Sequence, residues 1–141
     1  MQPLHPPGWV RPKGYAHGAL ARGTLVVTGG LLGWDGQERF VADDFLGQLR
    51  QVLVNLKAVL AEAGAGPEHL VRLTWYLADR REYLADLTAV GEIYRAELGR
   101  HYPPMTVIEV AALMEPGARL EVEAMAVIPD GSPGGGAAAS G

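Results

Sequence analysis

The chain has 141 residues, 48% of them hydrophobic, a net charge of −4 and no cysteine, so a single domain with one sizeable core is expected. That composition excludes a disulfide framework, a thiol nucleophile and a thiolate metal site, and the absence of any Lys/Arg block speaks against nucleic acid as a partner. No apolar run approaches a membrane span and no basic-then-apolar leader opens the chain, so a cytoplasmic protein without membrane contact is expected.

Residues 1–13 are rich in proline and read as an extended lead-in. Residues 14–20 read as a short strand, Arg22-Gly23 as a turn and residues 24–28 as a second strand, together a hairpin. A loop containing Trp34, Asp35 and Gly36 follows. Asp43 or Asp44 then caps a helix in which Phe45, Leu49, Val52, Leu53, Leu56, Val59, Leu60 and Ala63 recur at three- and four-residue steps. Gly64 closes it as a left-handed cap. After Gly66-Pro67, residues 71–77 alternate, with Val71, Leu73, Trp75 and Leu77 on one face and Arg72, Thr74 and Tyr76 on the other. Asp79 caps a second helix carrying Tyr83, Leu87, Val90, Tyr94 and Leu98, which Gly99 ends. Pro103-Pro104 forbid its continuation, and the β-branched run Thr106-Val107-Ile108 starts a strand. Residues 114–118, Met-Glu-Pro-Gly-Ala, are turn chemistry. Residues 119–128 alternate again, so Glu121 and Glu123 leave one strand on the same face. The Gly/Ala-rich stretch 129–141 has too little to bury to offset its ordering entropy and reads as a disordered tail.

The element order is therefore β-β-α-β-α-β-β, an α+β class in which helical crossovers imply a mixed sheet. Two helices cover one face of such a sheet. Several strands are apolar on both faces, so the other face should meet a partner subunit. The four histidines (5, 17, 69 and 101) lack metal-ligand spacing, and no metal is expected. Gly29-Gly30 opens a loop rather than a helix, which argues against a phosphate cradle.

The block Tyr102-Pro103-Pro104-Met105-Thr106-Val107-Ile108-Glu109-Val110, followed by Arg119-Leu120-Glu121-Val122-Glu123-Ala124, resembles the closing block of the RidA/YjgF family of imine/enamine deaminases, also known as endoribonuclease L-PSP. Gly14-Tyr15-Ala16-His17-Gly18, Thr28-Gly29-Gly30 and the helix-strand stretch 51–79 resemble further pieces of that family in the same order. The resemblance spans residues 14–128, which it implies are one domain. It implies a chorismate-mutase-like fold with two helices packed on a mixed six-stranded sheet. It also implies a homotrimer with small-molecule clefts between subunits, no cofactor, and hydrolysis of a C–N bond that releases ammonia.

Carried over residue by residue, the resemblance makes Glu121 the group that positions the hydrolytic water. It places Tyr15, His17, Gly30, Trp34, Met105, Thr106 and Val107 around the substrate. Met105 stands where the family has its substrate-binding arginine, and a thioether cannot replace a bidentate guanidinium. The substrate is then not 2-iminopropionate, or another cation holds it; His17, Arg22, Arg100 and His101 are the candidates. The residues by themselves leave plainer readings open. Glu121 and Glu123 also fit an exposed strand face, with Glu123 and Glu109 structural, and Trp34 and Trp75 fit either an aromatic pocket wall or the core. A non-catalytic binding or regulatory trimer is the alternative function. A ribonuclease or translation inhibitor fits the acidic balance less well.

Overall fold

A computed structural model describes residues 1–131. Its elements are β1 (Gln2–Leu4), β2 (Gly18–Leu20), β3 (Thr24–Val27), α1 (Phe45–Glu62), a short 3-10 turn (Pro67–His69), β4 (Leu70–Leu77), α2 (Arg80–Ala85), α3 (Leu87–Leu98), β5 (Met105–Glu109) and β6 (Leu120–Ile128). The main sheet runs β3-β6-β4-β5, with β4 and β5 parallel and the other pairs antiparallel. The mixed α+β architecture expected from the sequence is what forms.

α1 is held at both ends by its own sequence. The Asp44 carboxylate accepts the Gly47 N–H at 3.1 Å, which supplies one of the donors that an opening turn leaves orphaned. At the far end Gly64 adopts φ 74°, and Gly64 and Ala65 donate to the carbonyls of Ala61 and Leu60, each at 3.0 Å. That is the paired bonding of a Schellman closure, which a glycine at this position permits without steric strain. The buried stripe Leu49, Val52, Leu53, Leu56 and Leu60 packs with Val90, Ile93 and Leu98 of α3 into one core. The floor of that core is the alternate set Leu120, Val122, Ala124, Ala126 and Ile128 of β6, with Leu73, Trp75 and Leu77 of β4.

Three expectations are corrected. The hairpin between residues 14–20 and 24–28 does not form: β2 pairs antiparallel with β1, and β3 pairs with β6. Gly23 causes the redirection, because its backbone comes so close to that of Ile128 that no side chain fits there, and its φ of 142° disfavours other residues. The sheet accordingly has four strands beside a separate two-stranded ribbon, not six in one sheet. The helix expected after Asp79 is two helices, because Asp86 breaks the backbone at φ −149° and ψ 74° and caps α3 by accepting the Ala89 N–H. Of the Gly/Ala-rich stretch, residues 132–141 lie outside the described residues.

A buried glutamine joins the loops at the end of the sheet. Gln48, fully buried, donates to the carbonyls of Ala42 at 3.0 Å and Gly117 at 2.9 Å and accepts the Arg119 N–H at 2.7 Å. An amide buried on an apolar helix face is tolerated only when its donors and acceptor are all partnered.

Candidate active site

The alternation of β6 turns Glu121, Glu123 and Met125 away from the helices, beside Tyr76, Thr74 and Arg72 of β4. The two glutamates end in different states. Tyr76 Oη donates to Glu123 Oε1 at 2.6 Å, and this bond, with partial desolvation and the charges of Glu123 and Glu121, pushes the phenol above its ordinary value. The phenol therefore stays a donor, and Glu123 is held in place. The Glu121 carboxylate has no hydrogen bond or ion pair among the described residues.

What lies against Glu121 is backbone. Thr28 N–H donates to Ala124 O, and Ala124 N–H donates in turn to Thr28 Oγ1, both at 3.0 Å. Leu31 then exchanges both backbone bonds with Val122 at 2.8 and 3.0 Å. Between the two attachments Gly29 and Gly30 together oppose the single residue Glu123, a local bulge of the kind that re-aims neighbouring groups. A Cβ at position 30 would lie 2.5 Å from Glu121 Oε1. Gly30, Tyr76, Met114, Glu121 and Glu123 line an open cleft of about 320 Å³. An unpaired carboxylate held against a glycine backbone is free to accept a hydrogen bond from water and take its proton.

Met105 and Val107 point the other way. They pair in register with Leu73 and Trp75 and so share the helix-covered face. With Tyr15, Trp75, Tyr83, Tyr94 and Tyr102 they line a second cleft of about 510 Å³, within the size range of small-molecule sites. Its wall is a run of aromatic rings: Trp75 stacks on Tyr94 and Tyr94 on Tyr102, at centroid separations of 6.4 and 5.3 Å, and Tyr83 meets Trp75 edge-on at 6.0 Å. Burial raises the Tyr83 and Tyr94 phenols above their ordinary value; Tyr94 donates to His101 O at 2.6 Å. The Trp75 indole N–H is closed from solvent and has no hydrogen-bond partner among the described residues. The fully charged residues lining this cleft are Lys13 and Arg95, with no carboxylate among them.

The sequence-derived residues thus divide. Tyr15, Met105 and Val107 meet in the helix-side cleft, and Gly30 and Glu121 in the open-face cleft. Thr106 lies on the open face, where its Oγ1 accepts from Arg72 at 3.4 Å. His17 sits apart in an aromatic cluster with Trp9, Tyr15 and His5, its ring 5.0 Å from Trp9. Trp34 packs on Phe40 at 6.0 Å and lines neither cleft. Among the candidate replacement cations, Arg22 and Arg100 are exposed and line neither cleft. His101 Nε2 is tied to the Leu70 carbonyl at 2.7 Å. Glu109 accepts the Arg80 N–H at 3.0 Å, a structural bond at the start of α2. Arg95 and Lys13 escaped the sequence reading. Gly91, one helical turn before Arg95, is the one local hint, since a Cβ there would meet the guanidinium at 3.0 Å. Among the described residues no group of His, Asp or Glu is arranged to hold a metal ion, and no helix is long and apolar enough to cross a membrane.

Residues 10–128 match the family described as Endoribonuclease L-PSP. The chain is 32% identical over 105 residues to a 2-iminobutanoate/2-iminopropanoate deaminase of Salmonella typhimurium, covering 74% of this chain and 80% of that protein. Among solved structures it is similar to the Rid-family protein YyfB of Yersinia pestis, of unknown function, at 31% identity and a TM-score of 0.79 over 90% of this chain and 98% of that one. It is also similar to TdcF of Escherichia coli with bound serine, at 30% identity and a TM-score of 0.63 over 86% and 92% of the two chains.

Proposed function

The chain belongs to the RidA/YjgF family, and from that premise we propose that it is a homotrimeric hydrolase of imine or enamine metabolites with its active sites between subunits. The observation that carries the reading is the contrast between the two glutamates: Glu123 is engaged by Tyr76, whereas Glu121 is unpaired and set against Gly30. Conservation of a fold alone does not require a free carboxylate in a cleft; hydrolysis does.

The placement of the half-sites supports assembly. Glu121 and Met105 lie on opposite faces of one sheet, so one chain by itself does not present both to one small ligand. The open face also carries Leu25, Val27, Ile108 and Met125, between 42% and 60% exposed, an apolar rim that a partner subunit would cover. A ring of subunits joined head to tail brings the open-face cleft of one chain to the helix-side cleft of the next.

In the reaction, Glu121 accepts a hydrogen bond from water and takes its proton as the oxygen attacks the C=N carbon. Glu121 passes that proton to the nitrogen, and a carbinolamine results. Glu121 then takes the carbinolamine hydroxyl proton and delivers it to the amino nitrogen as C=O forms and the C–N bond breaks, and the products are a 2-oxo acid and ammonia. One water is consumed and the glutamate is regenerated.

Glu121→Gln keeps the shape and removes the base, so ammonia release should fall by about 10²- to 10⁴-fold with the oligomer unchanged. Full activity in that variant would sink the mechanism. A second reading, a binding trimer without turnover, draws on Met105, which lies against the core and offers no charge. Under it a ligand raises the melting temperature and is never consumed.

A further inference from the structure

The helix-side cleft has donors and a shape that the function proposed above does not use. Two observations converge on it. First, Arg95 is partly buried and lines the cleft, yet it forms no ion pair among the described residues. A guanidinium partly removed from water without an anion is an incomplete arrangement. Second, its position depends on a glycine: with nothing at Gly91 beyond the backbone, the guanidinium folds back along α3 to within 3.0 Å of where a Cβ would stand.

Around these donors the cleft is apolar and flat-walled. Tyr83, Tyr94 and Tyr102 contribute ring faces and edges, Leu87, Val90, Met105 and Val107 contribute hydrocarbon or thioether, and the second cation is Lys13. No carboxylate of the chain's own described residues lines it, so an anion entering the cleft meets no repulsion from that wall.

We propose that Arg95 replaces the cation missing at Met105, and that the cleft selects carboxylates bearing an aromatic or bulky apolar body. This rests on the function proposed above for the reacting end of the ligand, but not for its binding. The carboxylate bridges to the Arg95 guanidinium, the body lies along Trp75 and the tyrosines, and Met105 acts as an adaptable apolar contact where a charge would exclude such a body. The substrate class is then the 2-imino acid of an aromatic or large aliphatic amino acid, not that of alanine.

Binding and turnover are tested separately on the full chain. Phenylpropanoate, propanoate and phenylpropanamide are titrated by calorimetry. Phenylpropanoate should bind about 10- to 100-fold more tightly than propanoate, from burial of the ring. Arg95→Gln should weaken phenylpropanoate by about 10- to 100-fold and leave the uncharged amide unaffected, and Arg95→Lys should restore part of the loss. Equal affinity for the two acids, or phenylpropanoate binding unchanged in Arg95→Gln, overturns the inference. Ammonia release is then measured with imines generated in situ from phenylalanine and from alanine by an amino-acid oxidase. Faster turnover of the phenylalanine imine than of the alanine imine, with both slowed in Arg95→Gln, supports both proposals. Selective binding without ammonia from either imine leaves the specificity inference standing and refutes the hydrolase.

Discussion

Replacing Gly30 by alanine separates the chemistry from the fold. The new Cβ would stand 2.5 Å from Glu121 Oε1, 2.8 Å from its Cδ and 3.0 Å from its Cγ. Ordinary contact begins near 3.4 Å, so the carboxylate must retreat by roughly 1 Å. A displacement of that size at a reacting group costs on the order of 10²-fold in rate, because the water it holds no longer meets the C=N carbon in line. Stability should move the other way. Gly30 is exposed and is not among the positive-φ glycines, so alanine fits its backbone and reduces the entropy of the unfolded chain, worth about 0.4–1 kcal/mol. Ammonia release and thermal melting on the same preparation decide the matter. The expected pair is a kcat lowered by about 10²-fold with an equal or higher Tm. An unchanged kcat would refute the assignment of Glu121, because the carboxylate cannot keep its place beside a methyl group.

Gln48→Ala removes three hydrogen bonds at once and strands two carbonyls and one N–H. At about 1 kcal/mol for each bond the loss is roughly 3 kcal/mol, or on the order of 10 °C in Tm, to be read by calorimetric melting; a change within about 1 °C would show that the loops are held by other contacts. The carboxyl of Asp79 is lowered from 3.8 to about 2, chiefly by the Arg81 side-chain hydrogen bond and then by the Arg81 backbone N–H. Its contribution is therefore present above pH 3.8 and is lost as pH falls through about 2. Asp79→Asn should flatten the acid limb of a stability–pH curve in that window, lowering stability at neutral pH while leaving it unchanged below about pH 2.

Much of this architecture is legible in the sequence because local signals agree with the tertiary result. Over α1 the apolar repeat, the Asp44 cap and the Gly64 closure all name the same boundaries. In β6 simple alternation correctly puts Glu121 and Glu123 on one face. The second helix misleads because Tyr83, Leu87 and Val90 keep their spacing across the break at Asp86, and a lone aspartate inside a periodic stretch looks like a solvated side chain. The hairpin misleads because its turn signal at Arg22-Gly23 is real, while the pairing is decided by Ile128, more than a hundred residues away.

The candidate site shows the same division. Parity within one strand follows from spacing, but the relative parity of β5 and β6 depends on how each is registered on β4. That Met105 and Glu121 face opposite ways is therefore invisible until the strands are paired. Arg95 was overlooked for a related reason. On a helix read alone it is one more charged position, and only the approach of β4 and β5 turns it into the rim of an aromatic cleft.

The proposed hydrolase needs one ligand shared between the open-face cleft of one subunit and the helix-side cleft of another. Glu121→Gln disables the first half-site, and Gly91→Trp, placing an indole in the mouth of the second, disables the other; each homotrimer should be inactive. The measurement is the rate of imine hydrolysis by trimers formed from a co-expressed equal mixture of the two variants. Random assembly gives intact sites at about one in four positions, so about one quarter of the wild-type rate should return. Mixed trimers as inactive as the two parents would show that each chain works alone and would contradict the account.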